Sequence, residues 1–143
     1  MGAWDYHNFD NDAAADFAET FRQRPNEAVL YEALATAAEE EGYLETDEAS
    51  QALAAAELVA AIIGKPAADM PVGLLPAATR LNADGQEDLQ ELAIEAVEAV
   101  LRGSELQEQW ADTPDYAAWQ ALQQNLLARL QLAEDEEDND DED

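Results

Sequence analysis

The chain has 143 residues, of which 48% are hydrophobic, enough to build one domain with its own core and to argue against disorder over most of its length. It contains no cysteine, which excludes disulfides, thiolate metal sites and cysteine nucleophiles. Its 34 acidic residues face only 6 basic ones, giving a formal net charge of -28. Such a surface repels nucleic acid and anionic membranes and attracts basic proteins or cations.

Two amphipathic helices are predicted before residue 43. The first begins at Asp10 or Asp12, either of which can cap it, and the second begins at Pro25 and Asn26 and stops near Gly42. Each carries an apolar stripe at helical spacing. The stripes consist of Ala14, Phe17, Ala18 and Phe21 in the first helix, and of Leu30, Ala33, Leu34, Ala37 and Ala38 in the second.

A third helix is predicted to run to Gly64, with Thr46 or Asp47 as its cap. Between residues 49 and 63 the polar residues are Ser50, Gln51 and Glu57. Apolar residues therefore occur on nearly every side of this helix, which is the pattern of a helix buried among others.

Residues 65–85 contain three prolines and are predicted to form a long connection, with one short turn around residues 76–80. A fourth helix is predicted over residues 86–102. Its apolar residues form one stripe, and four acidic residues are expected to face away from the core. These are Asp88, Glu91, Glu95 and Glu98.

Two more helices are predicted toward the C-terminus. Ser104 begins a short fifth helix with Gln107 at the capping-box position, and Thr113 with Pro114 begins a sixth. Tyr116, Trp119 and a series of leucines supply the core face of the sixth helix, and the tryptophans Trp4, Trp110 and Trp119 are expected to be core anchors.

Acidic residues fill the end of the chain. Nine of the ten residues in 134–143 are acidic, so residues 1–133 keep 25 acids and 6 bases and a net charge of -19. We therefore predict an all-α protein: a compact bundle of five or six helices forming a single domain over residues 1–133, followed by a disordered acidic tail over residues 134–143.

Neither a secretory signal nor a membrane anchor is expected. The first residues lack a basic region followed by an apolar one, and the longest apolar stretch, residues 52–63, is interrupted by Glu57 and is too short to span a bilayer. A cytoplasmic location is the resulting expectation.

Three segments, at the start, middle and end of residues 1–132, carry a resemblance to a known family. The first contains Gly2, Ala3, Trp4, Phe9, Asp10, Asn11, Asp12, Ala14 and Asp16. The second contains Tyr43, Leu44, Glu45, residues 52–61, Gly64 and Pro66, and the third contains Ser104, Glu105, Leu106, Trp110, Trp119, Arg129 and Leu130. Together they resemble a bacterial family classed only as a domain of unknown function, number 4259. The resemblance implies an α-helical domain and implies no activity.

The acidic cluster near the N-terminus is the sharpest chemical candidate. Oxygen ligands at the spacing of Asp10, Asn11, Asp12 and Asp16 suit calcium or magnesium, but the glycine and distal glutamate of an EF-hand loop are missing. Capping of the first helix is the favoured interpretation.

His7, the only histidine, has no nucleophile motif beside it and is interpreted as a turn residue. We therefore predict no catalytic, cofactor-binding or metal-ligating residue.

Three functional hypotheses remain. The first is a non-enzymatic interaction protein whose ordered carboxylates bind a basic protein partner, as in a DNA mimic or an inhibitor of a toxin or nuclease. The second is an ordinary helical protein whose acidity is an adaptation to high salt. The third is a weak metal-binding protein or enzyme that uses Asp10 to Asp16. Neither nucleic acid nor membrane is expected as a partner, and no cofactor is expected.

Overall fold

In the computed structural model, residues 12–24, 26–39, 44–63 and 87–142 are described. They form six helices: α1 (Asp12–Gln23), α2 (Glu27–Glu39), α3 (Thr46–Ile62), α4 (Glu87–Arg102), α5 (Glu105–Ala111) and α6 (Tyr116–Glu142). Within those ranges the β-type pairing is a single isolated parallel bridge between Leu44 and Ser104. The predicted all-α fold is therefore confirmed.

Helix α3 is the common packing partner of the bundle. It contacts each of the other five helices, and every residue from Ala52 to Ile62 is buried. Six of these residues are alanines, whose small side chains let neighbouring helix backbones approach closely. The sequence-based prediction of a helix buried among others is confirmed.

The helices around α3 bury one stripe each. On α1, Ala14, Ala18 and Phe21 are buried, and on α2 the buried residues are Leu30, Leu34 and Ala37. Helix α4 buries a longer stripe of Leu89, Ala93, Ala96, Val97, Ala99 and Val100. Helices α2 and α4 also pack against each other, so they lie side by side on α3.

The helix starts follow side-chain capping, with three corrections to the predictions. Asn26 begins α2 as predicted, because its Oδ1 accepts a hydrogen bond from the Ala28 N–H at 2.8 Å. Helix α3 is capped by Glu45, not by Thr46 or Asp47: Glu45 and Glu48 form a capping box, and both predicted caps lie inside the helix.

The C-terminal helices show the other two corrections. Ser104 caps α5 as predicted, since its Oγ accepts from the Gln107 N–H at 3.0 Å. The Gln107 side chain does not complete a capping box but donates to the Tyr116 hydroxyl at 2.6 Å. Helix α6 begins at Tyr116, after a turn in which the Thr113 Oγ1 accepts from the Asp115 N–H, rather than at Thr113.

The acidic end of the chain belongs to α6, which continues to Glu142. The predicted disorder of residues 134–143 is therefore not confirmed. Within the described side chains of α6, Leu126, Leu127 and Leu130 are buried. The predicted connection over residues 65–85 lies outside the described residues.

Candidate interaction surface

Helix α4 presents a row of carboxylates to solvent. Asp88, Glu91, Glu95 and Glu98 are all exposed, as the sequence predicted, and the opposite face of the helix is buried. At this spacing successive Cβ atoms lie about 5–6 Å apart, and a rise of about 1.5 Å per residue gives the row a length of about 15 Å. Like charges so placed destabilise an isolated helix, so the buried face must hold α4 in place.

Arg129 forms a largely buried ion pair with Glu57. The Arg129 Nη1 of α6 lies 3.0 Å from the Glu57 Oε1 of α3, and its Nη2 lies 3.3 Å from Oε2. The Glu57 side chain is 2% exposed and that of Arg129 is 13% exposed. The Arg129 Nε also donates to the Asn125 Oδ1 at 2.8 Å, which orients the guanidinium toward Glu57. This bidentate pair connects the central helix to α6.

A second arginine is neutralised on α1. The Arg22 Nε donates to the Glu19 Oε1 at 2.9 Å, and Gln23 also donates to the Glu19 carboxylate. The Arg22 and Gln23 hydrogen bonds lower the pKa of Glu19 to about 2, and the same contact raises the pKa of Arg22. Both side chains of this pair are about half exposed, at 45% and 51%.

The distribution of basic residues leaves the surface strongly negative. The described ranges contain four of the six basic residues, namely Arg22, Arg24, Arg102 and Arg129. Arg22 and Arg129 are each bonded to a carboxylate of the chain itself. Two of the four described arginines are therefore paired with carboxylates of the chain itself, while the carboxylates of the α4 row are exposed to solvent.

The starts of α3 and α5 are joined by a reciprocal set of hydrogen bonds. The Glu105 Oε1 accepts from both the N–H and the Oγ1 of Thr46 at 2.8 Å, and the Glu105 N–H donates to the Leu44 carbonyl at 2.8 Å. The backbone and side-chain hydrogen bonds from Thr46 lower the pKa of Glu105. Gln109 also donates to the Thr46 Oγ1. This carboxylate is structural: it satisfies the positive end of α3.

The buried polar side chains differ in how they are satisfied. The Gln90 Nε2 of α4 donates to the Leu130 carbonyl of α6 at 2.6 Å, which joins these two helices. Ser50 is 1% exposed, and its Oγ has no hydrogen-bond partner within the part of the chain that the structure describes. It lies inside α3 and does not donate to a carbonyl of the preceding turn, as the hydroxyl of Thr36 does in α2.

The outer face of α2 carries the feature that sequence reasoning missed. Tyr31 is 53% exposed and is the one large exposed hydrophobic residue among those whose side chains the structure describes. It lies in a shallow groove lined along α2 by Ala28, Tyr31, Glu32, Ala35, Thr36 and Glu39. Tyr31 stands off the buried stripe of Leu30, Leu34 and Ala37, and that offset is the sequence signal that could have identified it.

Several residues singled out from the sequence are not brought into a site. Asp10, Asn11, His7 and Trp4 lie outside the described residues, and Asp16 is an exposed residue of α1. Among the side chains that the structure describes, those of residues 13–24, 26–39, 44–63 and 88–131, no group of three or more His, Cys, Asp or Glu is arranged to hold a metal ion. The absence of a metal or catalytic site near Asp10 to Asp16 therefore stays a prediction.

Of the three predicted tryptophan anchors, Trp119 lies in the core and Trp110 packs against it, while Trp4 lies outside the described residues. Trp119 is buried and stacks on Tyr116, with ring centroids 6.1 Å apart and an interplanar angle of 16°. Trp110 is partly buried against the same core.

None of the described helices is long and apolar enough to cross a membrane.

Comparison with known proteins supports the family resemblance. A family model described as "Domain of unknown function (DUF4259)" matches residues 2–122. Neither the curated proteins nor the solved structures gave a match.

Proposed function

Since the chain belongs to the DUF4259 family, whose description assigns no activity, we propose from its surface that it is a non-enzymatic interaction protein that binds a basic protein partner. The observation that carries the proposal is the exposed row of Asp88, Glu91, Glu95 and Glu98 on α4. The helix holds these charges in a fixed order on a rigid element. Such complementarity steers encounter with a basic partner and fixes its orientation.

Repulsion among the carboxylates of the row lowers the stability of α4, although these solvent-facing residues are not needed for the packing of the helix. Like charges three and four residues apart each cost about 0.2–0.5 kcal/mol of helix stability, and glutamine has nearly the same helix propensity as glutamate. A bound cationic surface would relieve that repulsion. A DNA mimic, or an inhibitor of a basic toxin or nuclease, is the concrete form of this function, because regularly spaced carboxylates can replace phosphates at a basic surface.

The test begins with affinity capture from the native lysate at low salt, followed by calorimetry with the purified partner. The triple substitution Glu91→Gln, Glu95→Gln and Glu98→Gln should weaken binding by about tenfold or more, with a reduced salt dependence. The matched control, Asp16→Asn, Asp112→Asn and Asp115→Asn, removes the same charge from other exposed positions and should retain most of the affinity.

Three outcomes would count against the proposal. Equal loss of affinity in both triple variants would show a general charge effect without recognition by α4. Failure to recover any basic protein at low salt, or binding that does not respond to salt, would contradict it outright.

The alternative is that the acidity adapts a helical protein to high salt, which the small number of basic residues also fits. Adaptation predicts no partner, and both triple variants should then change only the salt dependence of thermal stability, by similar amounts. A similarly acidic composition across the other proteins of the source organism would favour this alternative.

A further inference from the structure

The outer face of α2 combines an apolar anchor with negative charge. Tyr31 is 53% exposed, and the groove around it is lined by two alanines and by the carboxylates of Glu32 and Glu39. The hydroxyl of Thr36 donates to the Glu32 carbonyl at 2.8 Å, so it is satisfied within α2. The groups left to meet a partner are the tyrosine ring and hydroxyl, two methyl groups and two carboxylates.

The order of these residues along α2 separates the two chemistries. Ala28, Tyr31 and Ala35 recur at intervals of three and four residues and form one strip. Glu32 and Glu39 follow Ala28 and Ala35 by four residues, so they line one edge of that strip. The small side chains of the strip permit close approach of a helix on either side of the tyrosine ring.

We propose that this face of α2 is a docking site for a basic amphipathic helix, with Tyr31 as its apolar anchor. The docking site presupposes the basic partner proposed above and adds its class: lysines or arginines along the edge that meets Glu32 and Glu39, and an apolar stripe over Tyr31. Tyrosine is enriched among the residues that contribute most to interface affinity.

Charge selects this occupant over a second copy of the chain. The chain has a net charge of -28, so two copies repel each other at this face. Helix α2 also packs beside α4, whose exposed acids would attract the same cationic helix toward the groove. The carboxylates of the α4 row then attract and orient the basic helix. Tyr31 adds an apolar contact, which favours a partner with an apolar stripe over other basic proteins.

The experiment uses the full-length chain and two synthetic helical peptides with the same number of lysines. One has leucines at i, i+3, i+4 and i+7, and the other has glutamines at those positions. Calorimetry at low salt should show the leucine peptide binding about tenfold more tightly, a difference of about 1.4 kcal/mol. Tyr31→Ala should remove most of that difference and leave the binding of the glutamine peptide unchanged.

Matched variants separate the anchor from the charges. Tyr31→Phe keeps the ring and should retain the preference for the leucine peptide, and Gln120→Ala, at an exposed position of α6, should have no effect. The double substitution Glu32→Gln and Glu39→Gln should weaken both peptides while preserving the leucine preference.

The possible results are distinguishable. Salt-dependent binding of both peptides with equal affinity, unaffected by Tyr31→Ala, would overturn the docking site and leave the proposed function standing. Absence of salt-dependent binding to either peptide would contradict both. A large loss of thermal stability in Tyr31→Ala would show that the chain itself covers this face, which also overturns the docking site, because substitution of an exposed residue changes stability little.

Discussion

Two glutamate–arginine pairs in this molecule share their chemistry and differ in their surroundings. Glu57 and Arg129 meet between the central helix α3 and α6 and are separated by 72 residues of chain, whereas Glu19 and Arg22 are neighbours on the surface of α1. The first pair is almost fully enclosed and the second is about half exposed. Enclosure turns the loss of one partner into an uncompensated buried charge, while water readily replaces a partner at the surface. The same contact is therefore structural in one region and nearly neutral in the other.

The largest effect should come from breaking the enclosed pair. We expect Glu57→Ala to lower the free energy of unfolding by about 3–5 kcal/mol, because the Arg129 guanidinium loses its bidentate partner in a largely buried position. Urea denaturation of wild type and variant measures this difference. The double substitution Glu57→Leu and Arg129→Met should recover most of the loss, since an apolar pair of similar volume often replaces a buried ion pair without cost. A loss below 1 kcal/mol for Glu57→Ala, about the upper range of exposed pairs, would contradict the structural role.

A second comparison concerns two buried serines with different partners. The Ser50 Oγ has no partner within the described residues, and the Ser104 Oγ both caps α5 and donates to the Val100 carbonyl at 3.0 Å. We expect Ser50→Ala to stabilise the protein by up to about 1 kcal/mol, and Ser104→Ala to destabilise it by about 1 kcal/mol. Thermal melts of the two variants should move in opposite directions. A destabilised Ser50→Ala would reveal that its hydroxyl is bonded.

The carboxylate of Glu105 should give an intermediate effect that depends on pH. Its pKa is lowered by hydrogen bonds from Thr46, so the stability that it adds is complete above the ordinary carboxyl value of 4.5 and is lost as the pH falls through the lower folded value. Glu105→Ala should therefore lower the melting temperature at neutral pH by less than Glu57→Ala does. The gap between this variant and wild type should shrink below pH 4.5. A gap that is constant across that range would mean that the charge of Glu105 is irrelevant.

The smallest effect is expected for the exposed pair. Glu19→Gln and Arg22→Ala should leave the melting temperature within experimental error at moderate salt, because the pair is screened. The pair should be detected instead by NMR titration of Glu19. The pKa of Glu19 should lie below 4.5 at low salt and should rise toward 4.5 with added salt or in Arg22→Ala. Any stability that it adds would be lost between pH 4.5 and about 2. A marked drop in melting temperature for Glu19→Gln would contradict the claim that the exposed pair adds much less stability than the pair of Glu57 and Arg129.

The helices of this fold were predictable because their residues repeat at helical spacing. The buried stripe of α2, the enclosure of α3 and the outward row of α4 all follow from periodicity alone. The pairing of Glu57 with Arg129 was not predictable, because it depends on how α3 and α6 pack across 72 residues of sequence. Glu45 was missed as a cap because glutamate is not among the preferred capping residues, and its capping box is recognised only once the helix start is known.

The candidate surface divides in the same way. The outward row of Asp88, Glu91, Glu95 and Glu98 was predicted, since charged residues opposite an apolar stripe must face solvent. Tyr31 was not, because an aromatic residue in a helix is expected in the core, although its offset from the stripe of Leu30, Leu34 and Ala37 indicates an exposed side of α2.

The position of α3 has a consequence for how the protein opens. Because this one helix contacts all five others, any excursion that releases a neighbour also uncovers part of it. Peripheral segments can fray independently, whereas breaking the hydrogen bonds of α3 itself also disrupts its packing against all five neighbours. We expect the slowest hydrogen exchange from residues 52–62, at a rate set by global unfolding, so that substitutions anywhere in the core should accelerate exchange in this helix together.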